Sequence, residues 1–237
     1  MPTDTPADAG LLTIIVPVFN EVRTVKAVID RLLEIDLPLA REILVVDDGS
    51  TDGTRALLTG LSPRPEVTVI AAERNGGKGR AIRLGLARAR GAIVAIQDAD
   101  LELDPAQLAA LVAPIMRGET TVVYGSRFLR PVAGVPRLTR VANRTLTTVT
   151  NLLFGASLTD METCYKVMRR DVAVSLPLEA DRFDIEPEIT ARLLLAGHRI
   201  MELPVTFEPR SRAQGKKIGW RDGLHAIRVL VRHRLRG

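Results

Sequence analysis

Asp98 and Asp100 are separated by one small residue and follow directly on the apolar run Ala92-Ile93-Val94-Ala95-Ile96. A continuous rather than alternating apolar run predicts a buried strand of a parallel sheet. Carboxylates at the C-terminal end of such a strand lie in the crevice where open α/β sheets bind ligands. Two negative charges so close repel each other unless something positive joins them. A divalent ion carrying phosphate oxygens is the natural guest, because Mg²⁺ prefers one or two carboxylates plus substrate phosphates. The bland alternative is a pair of Asp residues decorating a loop, so other constellations must decide.

Three of them precede this pair. The apolar run ending in Val16-Pro17-Val18-Phe19-Asn20-Glu21 reads as a first strand, and Pro17, which cannot donate to a ladder, marks where it leaves the sheet. The next strand ends in Val46-Asp47-Asp48-Gly49-Ser50. Asp52 or Ser50 is suited to cap the following helix, and two adjacent carboxylates at a strand tip exceed what capping needs. Asp48 can accept from the ring N–H of uracil or the N–H edge of guanine. Asn75-Gly76-Gly77-Lys78-Gly79-Arg80 opens a helix but matches neither the phosphate-loop nor the dinucleotide pattern. Its glycines let backbone approach phosphate, or let the helix pack close to the strand tips.

The elements that position these residues alternate strand and helix, the signature of an α/β layer fold. Strands are predicted at about 11–17, 42–47, 67–71, 92–97 and 120–124, with helices at about 22–36, 53–61, 78–90 and 105–118. Asp104-Pro105 reads as an N-cap followed by Pro in the first helical position, and Gly91 and Gly118 fall where C-caps are expected. Beyond Arg130 come a loop with Pro131, Gly134 and Pro136, a helix at about 138–154, a mixed region, a helix near 185–196 and a strand near 199–203. A Gly/Lys/Arg-rich loop over 208–219 and a helix at about 222–235 end the chain. The expected organisation is a disordered tail at 1–10, one catalytic domain at 11–221 and a basic amphipathic helix at 222–237. Within the domain, 11–125 is the nucleotide-binding part and 126–221 the acceptor part.

Composition narrows the partners. The 237 residues are long enough for a proper core, and 46% hydrophobic and 26% charged residues are ordinary for a globular protein. Aromatics amount to only 3%, which argues against a stacking platform for nucleic acid. The lone Cys164 makes no internal disulfide and reads as a buried structural thiol. No apolar stretch reaches membrane-span length, and the acidic, apolar-poor N-terminus is unlike a signal peptide, so a cytoplasmic location is expected. Net charge is +5, but residues 199–237 carry +7 and the rest −2. That asymmetry points to a phosphate-bearing partner, be it nucleotide, membrane surface or nucleic acid.

The four motifs, in this order and spacing over about ninety residues, resemble family 2 glycosyltransferases with the GT-A fold. Further segments are similar to the dolichyl-phosphate mannose synthases and their bacterial polyprenyl-phosphate relatives. They are Tyr124-Gly125-Ser126-Arg127-Phe128, Leu158-Thr159-Asp160, Lys166-Val167-Met168-Arg169-Arg170, Phe183-Asp184-Ile185-Glu186-Pro187-Glu188 and the loop from Arg210 to Ile218. The resemblance implies a mostly parallel central sheet flanked by helices. It also implies an inverting, metal-dependent transfer of mannose or glucose from GDP-mannose or UDP-glucose to a polyprenyl phosphate.

By the same resemblance, Asp98 and Asp100 hold Mg²⁺ or Mn²⁺. In the synthases a Gln two residues past the second Asp can complete the metal site; here the chain departs from that pattern and Glu102 takes the place. Pro17, Asn20, Glu21, Asp48, Lys78, Asp98, Arg210 and Arg212 surround the donor. Asp100, Arg127 and Lys217 act at the reacting centre, and Ser126, Arg127, Arg140 and Asp160 receive the acceptor. A phosphate acceptor is already ionised and needs no general base, whereas a hydroxyl acceptor needs one; the segment Asp160-Met161-Glu162-Thr163 can supply it. Asp160 can instead cap a helix or hold an acceptor-binding arginine. The last helix pairs an apolar stripe with arginines and suits either a docked surface or peripheral contact with anionic lipid. The competing possibilities are the same donor chemistry on a soluble hydroxyl acceptor and, more remotely, a non-catalytic nucleotide-sugar or nucleic-acid binding module.

Overall fold

The computed structural model describes residues 8–61, 64–130, 135–209 and 220–236. The elements are β1 (Asp8–Val18), α1 (Val25–Glu34), β2 (Ala40–Asp47), α2 (Thr54–Leu61), β3 (Val67–Ala71), α3 (Lys78–Leu86) and β4 (Gly91–Ile96). A 3₁₀ turn at Pro105–Gln107 leads into α4 (Leu108–Met116). Then follow β5 (Val122–Ser126), α5 (Arg137–Phe154), β6 (Lys166–Arg169), α6 (Arg170–Ser175), α7 (Ile185–Leu195), β7 (Ile200–Pro204) and α8 (Trp220–Arg236).

Among the described residues the strands form one seven-stranded sheet in the order β3-β2-β1-β4-β6-β5-β7. Pairings are parallel except where β6 runs antiparallel between β4 and β5. The continuous apolar runs of β1, β2 and β4 follow from burial on both faces. Leu12, Ile14, Val16, Ile43 and Val45 enter one core, while Ile15, Leu44, Val46 and Val94 enter a second core with Ala81 of α3. Chain order reverses direction at β1, which lies between β2 and β4. The tips of these two neighbours flank a topological switch point, the ligand crevice of an open α/β sheet.

The α/β class and the expected strands appear with shifted ends, and three differences have physical reasons. β1 begins at Asp8, which pairs with Gly91, so residues 8–10 belong to the sheet rather than to a tail. Gly91 is not a C-cap: it opens β4, where an added Cβ would lie 2.5 Å from the Leu11 carbonyl oxygen. The residue is small because two strands approach closely there. β6 and α6 were not anticipated, because β6 is four residues long and starts and ends on basic residues. Its Lys166 is fully buried by ion pairing, which an apolar pattern does not signal. Asp104 does cap as expected, accepting from the Ala106 N–H at 3.0 Å, with Pro105 next in line.

Gly91→Val would force β1 and β4 apart. It is expected to cost about 1–3 kcal/mol in chemical denaturation, in line with over-packed cores. An unchanged unfolding midpoint would show that the strands do not approach as described.

Candidate active site

The tips of β1, β2 and β4 and the start of α3 enclose a cavity of about 330 Å³, of the size that holds small ligands. Pro17, Glu21, Asp48, Lys78, Asp98, Asp100, Glu102 and Arg127 all line it, as expected from the sequence. So do Glu162, Cys164 and Glu186. Pro17 lies beyond the last residue paired with β4, so its missing N–H leaves no gap in that ladder. It does not mark where β1 leaves the sheet: Pro17 and Val18 still pair with Val46 and Asp47 of β2.

The two carboxylates at the tip of β2 divide the work. Asp47 is buried and accepts from the Ser50 N–H at 3.0 Å and from Arg55 at 2.6 Å, which fixes the turn into α2. Asp48 accepts from the N–H of Gly76 at 2.9 Å and of Gly77 at 2.5 Å. The glycine-loop amides are thus tied to a strand tip rather than open to phosphate. Gly77 has φ of 100°, and a Cβ there or on Gly79 would strike the backbone carbonyls of Asp181 and Ala180. The glycines are needed for this close approach.

Lys78 joins the halves of the site. Its ammonium lies 2.7 Å from Asp98 and 2.8 Å from Glu186. Glu186 in turn pairs with Lys166, whose ammonium also donates to the carbonyls of Met161 at 3.1 Å and Thr163 at 2.5 Å. Burial alone would push the Lys78 ammonium down, but Asp98 and Glu186 outweigh it and hold it well above its ordinary value. Burial would likewise raise Glu186, yet Lys166 and Lys78 keep it low. The chain of alternating charges is therefore ionised throughout its buried middle.

Asp98, Asp100 and Glu102 were expected to share one ion. They line one cavity, but among the described residues no three Asp, Glu, His or Cys side chains converge as metal ligands. Asp98 faces Lys78. Asp100 accepts from the Glu102 N–H at 3.1 Å across a tight turn in which Leu101 takes the left-handed φ of 61°. A non-glycine residue held there stores backbone strain, a feature common at functional sites. Hard oxygen donors around one cavity still suit a hard cation whose remaining ligands come from a diphosphate.

The acceptor residues behave differently from one another. Arg127 is gripped by Asp160 through two side-chain bonds of 2.7 and 2.8 Å, and its backbone N–H donates to the same carboxylate. Asn143 of α5 completes that carboxylate's shell at 2.8 Å. Burial opposes the Arg127 charge, but Asp160 more than compensates and raises its pKa. Asp160 therefore holds an arginine, one of the roles open to it from sequence. Ser126 is fully buried, bonded to Thr159 at 2.6 Å, and does not line the cavity. Arg140 sits exposed on α5, also off the cavity, because the helix turns it to solvent. Asn20 is off the cavity too: its carboxamide accepts from the Thr51 N–H at 2.8 Å and ties the β1 and β2 loops. Arg210, Arg212 and Lys217 lie outside the described residues.

Glu162 is the residue whose chemistry sequence alone left least defined. Its Oε1 is buried in the site with no hydrogen-bond partner. Burial, then repulsion from Glu186, pushes its pKa up to about 7. Cys164 is buried as expected; its sulfur accepts from the Asp98 N–H at 3.1 Å, and burial raises the thiol well above its usual range.

The glycosyl transferase family 2 model matches residues 13–176. The chain belongs to that family. Among relatives of this family 2 chain, dodecaprenyl-phosphate galacturonate synthase of Rhizobium johnstonii is 27% identical over 225 residues, covering 90% of this chain. The chain spans 64% of that protein's length. Undecaprenyl-phosphate mannosyltransferase of Micrococcus luteus is 28% identical over 225 residues, covering 91% of this chain and 90% of the relative. A solved structure of glucosyl-3-phosphoglycerate synthase from Mycobacterium tuberculosis, with Mn²⁺, UDP and glucosyl-3-phosphoglycerate, superposes with a TM-score of 0.69 at 25% identity. It covers 94% of this chain and 79% of that one. The family and the GT-A fold expected from the motifs are both borne out.

Two stability tests follow from the buried charges. Glu162 has its folded pKa raised to about 7 from 4.5, so the penalty of ionising it grows between those values as pH rises. Glu162→Gln is accordingly expected to raise the melting temperature more at pH 8 than at pH 5; an equal change at both would contradict its buried, partnerless state. Glu186→Leu strands the Lys166 ammonium and leaves Lys78 with Asp98 alone, and is expected to cost about 3–5 kcal/mol in denaturant titrations. A loss below about 1 kcal/mol would mean the chain of charges is not buried.

Proposed function

We propose that this chain is an inverting, metal-dependent hexosyltransferase that moves mannose or glucose from GDP-mannose or UDP-glucose to a polyprenyl phosphate. The observation that carries the proposal is that Asp98, Asp100, Lys78, Arg127 and Glu162 all line one cavity; in this reading the first three serve the donor and the last two the acceptor. Two relatives, a dodecaprenyl-phosphate galacturonate synthase and an undecaprenyl-phosphate mannosyltransferase, support the acceptor class. The Mn²⁺ and UDP held by the structural neighbour support the donor class.

The acceptor oxygen attacks the anomeric carbon, and the bond from that carbon to the diphosphate breaks. Negative charge then grows on the departing oxygen. Lys78, charged and fixed by two carboxylates, supplies a preorganised positive partner for it. Asp98 and Asp100 would hold Mg²⁺ or Mn²⁺, which neutralises further diphosphate charge when bound. Arg127, clamped in one orientation, offers the acceptor phosphate a fixed cation. Arg210 and Arg212 keep the proposed role of surrounding the donor, and Lys217 that of acting at the reacting centre. In this scheme Glu162 meets the acceptor phosphate in its neutral form and donates a hydrogen bond to it.

A hydroxyl acceptor is the second reading, and one observation favours it: a buried carboxylate with one partnerless oxygen and a pKa near 7 has the properties of a general base. The two schemes predict opposite pH profiles. With a lipid-phosphate acceptor, turnover falls as Glu162 ionises above about pH 7, and Glu162→Gln retains activity and flattens that fall. With a hydroxyl acceptor, turnover rises through pH 7, and the same variant loses about 10²–10⁴-fold.

The decisive assay follows radiolabelled sugar from each donor into an organic-extractable lipid phosphate. Label confined to water-soluble product would overturn the lipid assignment. Alanine at both Asp98 and Asp100, or removal of divalent ions by chelator, is expected to lower transfer by about 100-fold or more. Undiminished transfer would refute the metal-dependent scheme.

A further inference from the structure

Two helices outside the cavity carry an exposed surface that the proposed chemistry does not explain. On α5, Leu138, Val141 and Leu152 are 76%, 61% and 80% exposed. Together with exposed Thr145 and Thr148 they repeat at three- and four-residue steps, which places them on one stripe of the helix. Arg137, Arg140 and Arg144 are exposed beside that stripe. On α8, Leu224, Val231 and Leu235 form a second exposed stripe, accompanied by Arg228, Arg232 and Arg234. α5 contains no acidic residue and α8 only Asp222.

The inner faces of the two helices share one core. Leu146 of α5 packs with Ala226 and Leu230 of α8 around Met161. Large exposed side chains are not needed for that packing, and exposed apolar residues aligned along two neighbouring helices mark an interaction surface. Its arginine border selects the occupant. A hydrophobic protein partner needs no such excess of positive charge, whereas the interface of an anionic bilayer takes apolar side chains among the acyl chains and arginines among the phosphates.

We infer that α5 and α8 together form a platform that docks on an anionic bilayer, with the first three turns of α5 as its centre. The inference rests on the lipid-phosphate reading and specifies how that acceptor is reached. The opposite face of α5 bonds the acceptor side of the cavity: Asn143 holds Asp160, and Thr147 accepts from the Met161 N–H at 3.2 Å. A bilayer on the outer face is thus about one helix diameter, roughly 10–12 Å, from the segment that carries Arg127's partner and Glu162. No helix among the described residues is long and apolar enough to cross a membrane, so the docking is to the surface.

The test is flotation of the full chain with vesicles of phosphatidylcholine alone and of phosphatidylcholine with roughly one-third phosphatidylglycerol. Binding to the anionic vesicles, weakened by salt, is expected. Leu138→Glu combined with Val141→Glu changes exposed side chains only and is expected to reduce vesicle binding about tenfold or more. The thermal shifts of the same variant with Mn²⁺ plus UDP and with Mn²⁺ plus GDP are expected to match the parent's. That second readout reports the donor site alone, so its failure in both proteins would count against the proposed chemistry and not against the platform. No binding to anionic vesicles, or equal binding by the variant, overturns the inference. So does a stable dimer in solution that the two substitutions dissolve, which would make the stripe an interface between copies.

Discussion

The site depends on a buried row of alternating charges: Asp98, Lys78, Glu186 and Lys166. An ammonium with no partner in such surroundings would lose its proton or open the structure, because desolvation of a charge costs several kcal/mol. Each member therefore requires the next. Their anchors lie on four separate pieces of chain: the start of α3, the tip of β4, the first turn of α7 and the start of β6. The row fixes the distance between the donor carboxylates and the loop that bears Glu162, whose flanking carbonyls both accept from Lys166.

The antiparallel β6 makes this row possible. Because it runs between β4 and β5, it brings Lys166 and Cys164 alongside the C-terminal end of β4. The residues at 158–164 then pass beneath α5 and meet Arg127 at the end of β5. A purely parallel sheet would have sent this segment over a helical crossover, away from the acidic pair. One sheet thus runs through both the part proposed to bind nucleotide and the part proposed to bind acceptor, and its strand tips border the cavity.

Charge on this chain is arranged in two regimes. Inside, cations and anions pair at short range and are insulated from salt. Outside, the arginines of α5 and α8 face solvent with almost no acid among them. The inner set positions reacting groups. In the proposed docking the outer set governs what surface the chain approaches, and long-range attraction of this kind is adjusted by ionic strength.

The amino-acid sequence by itself determined the α/β architecture, the strand tips and most of the donor side of the cavity. Continuous apolar runs ending in Asp48 and Asp98 can be buried only in a covered sheet, and residues at such tips share a crevice whatever the details of packing. It did not determine the acceptor side. Ser126 and Arg140, and Asn20 among the residues expected around the donor, carry suitable groups, but helix rotation and local hydrogen bonds turn them away from the cavity. Glu186 and Lys166 are charged residues within ordinary-looking runs, and only tertiary contact between segments twenty residues apart buries them against one another. The partnerless oxygen of Glu162 is likewise a property of its surroundings. Periodicity records which face of an element is apolar; it holds no information about which distant charge meets that face, and three-dimensional packing alone decides it.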